Sequence, residues 1–230
     1  MSDQAVDLEA TDAFALGGSF VAQNSSFTSN QEWARMTGAD GLFLKWSNEF
    51  NQVTEVTCTY RFNAISGLPT ALPWLGSVSN ALLITEISVA SVHNDWPTIT
   101  ITGHNHGENA HINDRNKWDV SSFFATATGA FGAYDVAGKA AGETCATSST
   151  ITASMNHVDA ECSNGNHWVG QNIQGQVSAT VEYIGPISGT VAVSGWNTSS
   201  WNNSDANEGF DTSSITIEAP IHGTISEDPA

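Results

Sequence analysis

Polar and apolar residues alternate with a period of two through most of this chain. The pattern is clearest in VTEVTCTYRF (53–62), ITEISVASV (84–92), TITIT (98–102), STITASMNHV (149–158), QVSATVEYI (176–184), GTVAVSGW (189–196) and SSITIEAPI (213–221). Successive side chains of a strand point to opposite faces, so such runs put Val, Ile and Tyr on one side and Thr and Ser on the other. Thr, Val and Ile also fit the pleated backbone. Clusters of Gly, Pro, Asn and Asp separate the runs and supply the turns. No long segment has a helical period. The short stretches QEWARM (31–36) and SNALL (79–83) are the best helix candidates. The pattern predicts an all-β fold, an antiparallel β-sandwich or barrel with long loops and little helix. The strands at 53–62 and 176–184 are the longest and most regular, and they are expected to lie at its centre.

At 230 residues the chain suits one all-β structural domain with a sizeable core. The Gly/Ala-rich run ATGAFGAYDVAGKAAG (127–142) reads as a long loop that divides it into two β halves, 1–125 and 145–230. The halves echo each other. Residues 27–62 and 151–184 share an order of parts: a strand, a polar or aromatic pair, a Gly-containing turn, a tryptophan (Trp46; Trp168) and a long closing strand.

Charge narrows the list of partners. The chain has 24 acidic and 6 basic residues, a formal net charge of −18. Phosphate contacts need Lys or Arg, so specific binding of nucleic acid or of an anionic membrane is not expected. Charged residues make up only 13% of the chain, too few for a disordered polyelectrolyte. The start, MSDQAVDLEATDAF, shows neither the basic nor the apolar region of a secretory leader, and no apolar run reaches membrane-spanning length. Assembly in a cytoplasm is expected. Cys58, Cys145 and Cys162 are odd in number and form no Cys-x-x-Cys pair, which favours buried thiols.

The candidate chemistry begins with TITITGHNHGENAH (98–111), a strand that runs into three histidines. His104 and His106 would share one face of a continuing strand, with His111 close by, and neutral imidazoles so spaced suit a transition metal. The Gly and Asn content instead suggests that the strand ends at Thr102 and a polar loop follows. In NNSDANEGFD (202–211), Asn203, Asp205 and Asn207 have the first spacings of a calcium loop, but the glycine falls late and no closing glutamate follows. An Asx-rich turn fits better. No Gly-x-Ser-x-Gly elbow, acid–nucleophile carboxylate pair or phosphate-binding Gly loop is present. Neither catalysis nor a cofactor is expected. Eight tryptophans suit core and interface anchors, or platforms for sugar rings.

The stretch NHVDAECSNGNHWVGQNIQGQVSATVEYIG (156–185) resembles a pattern of tailed-phage tail tube and tube-like virion proteins. There a strand ends in a His-Val-Asp turn, a polar-tipped loop and a glycine turn follow, and a long strand returns. The matching parts here are His157-Val158-Asp159, Ser163-Asn164-Gly165, and Gly170-Gln171-Asn172 before Val177 to Tyr183. TITITGHNHGENAH is similar to a segment of the same group. Together the two stretches cover a limited part of the chain. The resemblance implies a β-sandwich or barrel that forms hexameric, stacked rings whose inner strands line a channel for DNA, beside other virion proteins. It makes His157, Asp159, Trp168, Gly170 and Asn172 candidates for subunit contacts, and GHNHGENAH a contact loop. An acidic lumen would let DNA pass by like-charge repulsion. The helix that usually flanks such a sandwich has no strong counterpart here. That leaves a capsid decoration protein, a tail terminator or a larger tube variant open, beside a carbohydrate-binding module and a histidine metalloprotein.

Overall fold

The computed structural model describes residues 12–17, 20–32, 35–46, 50–62, 72–92, 95–105, 117–121, 124, 145–161, 167–185, 196–205 and 209–221. Among these, all the named elements are strands: β1 (Phe20–Glu32), β2 (Arg35–Thr37), β3 (Phe43–Trp46), β4 (Phe50–Phe62), β5 (Val78–Ser79), β6 (Leu82–Val92), β7 (Thr98–Asn105), β8 (Cys145–Glu161), β9 (His167–Ile184), β10 (Asn197–Ser204) and β11 (Thr212–Pro220). The fold is all-β and antiparallel. One nine-stranded sheet runs β1-β4-β7-β6-β8-β9-β11-β10, with β5 beside β6, and β2 and β3 form a separate pair.

Neither helix candidate is helical among the described residues. In QEWARM, Gln31 and Glu32 end β1 and Arg35 and Met36 begin β2, while residues 33 and 34 lie outside the described residues. SNALL holds the reversal between β5 and β6, where Asn80 and Ala81 take φ of 48° and 63°. Two consecutive left-handed residues are what a tight hairpin needs, and asparagine tolerates that region. The expected strand at 189–196 lies outside the described residues apart from Trp196. The Gly/Ala-rich run 127–142 lies wholly outside them.

The sheet order is one four-strand arrangement used twice. In the first set β1 and β4 form a hairpin, β7 adds to β4, and β6 adds to β7. In the second, β8 and β9 form a hairpin, β11 adds to β9, and β10 adds to β11. The registers correspond. Cys58 sits between Ser25 and Ile101, and Ala179 sits between Ile151 and Ile217. Residues 56–60 (VTCTY) and 177–181 (VSATV) are thereby equivalent, as are 98–102 (TITIT) and 214–218 (SITIE). A side-chain hydrogen bond repeats with them, between Thr59 and Thr100 at 3.2 Å and between Thr180 and Thr216 at 3.0 Å. The stretches 27–62 and 151–184, which echo each other in sequence, contain the two leading hairpins. β6 pairs with β8 and joins the sets into one sheet. The regular strands at 53–62 and 176–184 are interior to the sheet, while its middle is β6 against β8.

One face of the sheet is apolar and buried. Tyr60, Ile87, Ile99, Ile101, Ile151, Val177, Val181 and Ile217 all belong to a single core cluster. Irregular segments cover it. Leu75 and Trp118 exchange backbone hydrogen bonds of 3.0 and 2.9 Å, which ties 72–76 to 117–120. Trp118 lies against Gly175 of β9, and Phe14 lies against Gly103 of β7.

Candidate functional site

The expected end of β7 at Thr102 is a correction, because the strand continues to Asn105. Gly103 explains the continuation. It faces the core, and a Cβ there would stand 2.8 Å from the Phe14 ring and 3.1 Å from the Leu83 carbonyl. This glycine serves close packing inside a strand, where the sequence suggested a turn. His104 follows on the polar face, directly opposite Glu55 of β4. Its Nε2 lies 2.9 Å from Glu55 Oε2. His106 and His111 lie outside the described residues. Among the described residues no three His, Cys, Asp or Glu side chains gather as metal ligands. Of the calcium-type residues, Asn203 is within β10 opposite Ser213, Asp205 follows that strand, and Asn207 is not described. The Asx-rich stretch therefore begins as a strand.

The residues nominated from 156–185 do come together. His157 faces Asn172 and Asp159 faces Gly170 across the far end of the β8–β9 hairpin. His157-Val158-Asp159 and Gly170-Gln171-Asn172 are strand, which corrects the two expected turns. The physical reason lies in the pairing. Asn172 is buried at 1% exposure, and its Oδ1 lies 2.7 Å from His157 Nδ1. A buried amide needs such a partner, and an extended backbone brings the two residues opposite each other in the ladder. Trp168 lies in β9, opposite the end of β8. Ser163, Asn164 and Gly165 lie outside the described residues.

Where this hairpin leaves the main sheet, the ladder slips between Ser154 and Asn156, and Gln174 takes φ of 55°. The slip opens a groove of about 650 Å³ lined by Asn156, Gln174, Gln176, Asn197, Thr198 and Glu218, among others. Among its lining residues, Asn156 Nδ2 donates to Gln174 Oε1 at 2.6 Å. Such a groove offers amide and hydroxyl donors and acceptors, with one carboxylate.

Two further features belong to the sheet as a whole. The first is the polar face of the sheet. Across the strands, Thr59, Thr100, Ser88, Thr152 and Ser178 stand directly opposite one another in a row. Hydroxyls bond within such rows, as between Thr57 and Thr102 at 3.2 Å and between Ser88 and Thr152 at 3.0 Å. Alternation announced the hydroxyls, but only the registers align them. The second feature is the pair of sheet ends. Among the described residues β1 and β10 each have one neighbour. β10 has no charged residue, and β1 has only Glu32 at its last position. Phe27 of β1 is 54% exposed and Trp201 of β10 is 53% exposed. Trp74 and Trp96 are also exposed, whereas Trp118 and Trp196 belong to the core.

Behind the apolar face, Tyr60 anchors the segment 12–17. Its hydroxyl donates to Asp12 Oδ1 at 2.9 Å and accepts from the Phe14 amide at 3.2 Å. Burial, more than any neighbour, holds its phenol proton far above the ordinary value of 10.0. Asp12 also accepts from the amides of Leu16 and Gly17 at 3.0 and 3.3 Å.

No protein-family model matches this chain, and no curated protein sequence matches it.

Proposed function

We propose that this chain is a structural protein that assembles from copies of itself, and that its role is the wall of a virion tail channel. The observation that carries the reading is the pair of sheet ends, which among the described residues have one neighbour each and almost no charge. An exposed edge strand is a template for another strand, and proteins that stay monomeric blunt it with Lys, Pro or inward-pointing charge. A chain with 24 acidic residues has charge in abundance, yet its two end strands hold almost none. Bulges interrupt them at Ala22/Asn24, Asn30/Glu32 and Thr198/Ser200, and the ladders over 24–30 and 200–204 are regular.

The channel role is supported by the polar face and by the tail-tube resemblance of 156–185. Glu55, Glu86, Glu182 and Glu218 stand among the hydroxyl rows, and among the described residues Arg61 is the only Lys or Arg on that face of the nine-stranded sheet. Arg61 is itself 3.4 Å from Asp95. Such a surface offers phosphates no cluster of cations, so DNA would pass without being held. In this reading no enzyme activity or cofactor is involved, and the acting partners are further copies and other virion proteins.

Negative-stain electron microscopy of the purified protein, with its mass in solution, tests the proposal. Rings or tubes with a central opening of duplex width are the expected outcome. A monomer at every salt and pH tried overturns it. A second reading, binding of a glycan, is favoured by the amide-lined groove between β8, β9 and β10. It predicts glycan affinity that falls on Gln176→Ala, and a glycan array on the monomer checks it.

A further inference from the structure

We infer that neighbouring copies join head to tail, with β10 of one copy against β1 of the next, in the register that β6 and β8 already use inside the chain. The inference rests on the self-assembly reading above and specifies its contact. Within the chain, β6 ends the first four-strand set and β8 begins the second. β10 ends the second set, and β1 begins the first. β6 and β10 are equivalent by register, because Ser88 faces Thr100 as Ser200 faces Thr216, and Val89 faces Ile99 as Trp201 faces Ile215. β8 and β1 are equivalent in the same way, because Ile151 faces Ala179 as Ser25 faces Cys58. A joint between β10 and the next copy's β1 therefore repeats a joint that the fold has already made once.

The internal joint sets the register of the external one. Ser88 faces Thr152, Val89 faces Ile151, and Ala90 faces Thr150. Carried over, Ser200 faces the next copy's Ser26, Trp201 faces its Ser25, and Asn202 faces its Asn24. The side chains support this placement independently of the backbone. Trp201 is on the core side of the sheet, since it faces Ile215, and Phe27 is on the core side, since it faces Val56. In the inferred register Phe27 lies two residues from Ser25, a diagonal neighbour of Trp201 on the same face. Aromatic side chains reach across such diagonals, roughly 7–8 Å between positions. The small Ser25 leaves the indole room. The most exposed aromatic side chain of each end strand thus covers the other's. On the polar face, Ser200 against Ser26 extends the hydroxyl rows, with the Ser88–Thr152 bond of 3.0 Å as its internal precedent.

A head-to-tail joint consumes both edges of every copy, so assembly ends only when a ring closes or runs on as a filament. Pairing β1 with β1, or β10 with β10, would instead stop at a dimer. Two variants separate these cases. Phe27→Lys blocks β1, and Trp201→Lys blocks β10, both at exposed positions that a lysine reaches without entering the core. The expected result is that wild type assembles, each variant alone is a monomer, and an equimolar mixture gives a one-to-one dimer and nothing larger. Circular dichroism confirms that both variants keep the sheet. If either loses it, Phe27→Ser or Trp201→Ser replaces it in the same mixture. Wild-type assembly with unchanged assembly or homodimers of either variant overturns the inference and leaves self-assembly standing. A wild-type protein that never assembles overturns both.

Discussion

Gly103 shows how one residue sets the course of a strand. Its missing side chain lets Phe14 close over β7, and the close approach lets the strand carry His104 onto the polar face. Gly103→Ala would force the Phe14 ring or the Leu83 carbonyl to move. The expected cost is about 1–3 kcal/mol, the usual range for overpacking. A thermal scan checks it, at roughly 2–4 °C per kcal/mol for a chain of this size. Tyr60 is the polar counterpart. Tyr60→Phe keeps the ring but strips the Phe14 amide and Asp12 of their shared hydroxyl, at an expected cost of about 1–3 kcal/mol. The same hydroxyl predicts a response to alkali. Below the phenol's ordinary value of 10.0, the folded and unfolded chains both hold the proton and stability is complete. Above it the unfolded chain ionises first, so stability falls as the pH climbs toward the raised folded value. Urea titrations across that window should show the decline in wild type, and a shallower one in Tyr60→Phe. An equal decline in both would remove Tyr60 as its source. None of this was legible in the sequence, where Gly103 reads as a turn and Tyr60 as one more core position. Both depend on Phe14, far away along the chain.

At the scale of elements, period-two alternation located the main strands well. It could not locate their ends. TITIT continues through a glycine, and the strand 149–158 continues through Asp159 to Glu161. In each case a partner elsewhere in the fold supplies what local composition lacks: Phe14, packed over the apolar face, for Gly103, and Asn172, across the ladder, for His157. β10 went unseen for the opposite reason. NTSSWNNS has the composition of a turn, and only pairing with β11 makes it a strand. The His157–Asn172 contact belongs to this scale as well. Asn172→Ala should loosen the far end of the β8–β9 hairpin while the main sheet keeps its protection. Hydrogen exchange is expected to rise by an order of magnitude or more over 156–161 and 167–173, and to stay level over 177–183. A uniform rise would mean that the hairpin end is not a separate unit.

For the molecule as a whole, charge is the force most easily adjusted. A net charge of −18 on every copy opposes assembly, and screening relieves it. Raising ionic strength from about 10 mM to about 150 mM shortens the Debye length from roughly 30 Å to roughly 8 Å. Assembly, followed by light scattering, should increase over that interval and again at mildly acidic pH, as carboxylates begin to take up protons. Indifference to both would mean that the acidic residues face away from the contacts. Fold class was readable from the patterning. The order of strands was only half readable, through the echo of 27–62 in 151–184, because TITIT and SITIE match in place while β6 and β10 share almost no residues. The repeated set also changes how an image of an assembly should be counted. In a closed ring of the proposed kind each copy would contribute its two four-strand sets as similar lobes, so the lobes would outnumber the copies two to one and be even in number whatever the stoichiometry. A rotational average would then report twice the true symmetry, and only a measured mass would reveal that neighbouring lobes belong to a single chain.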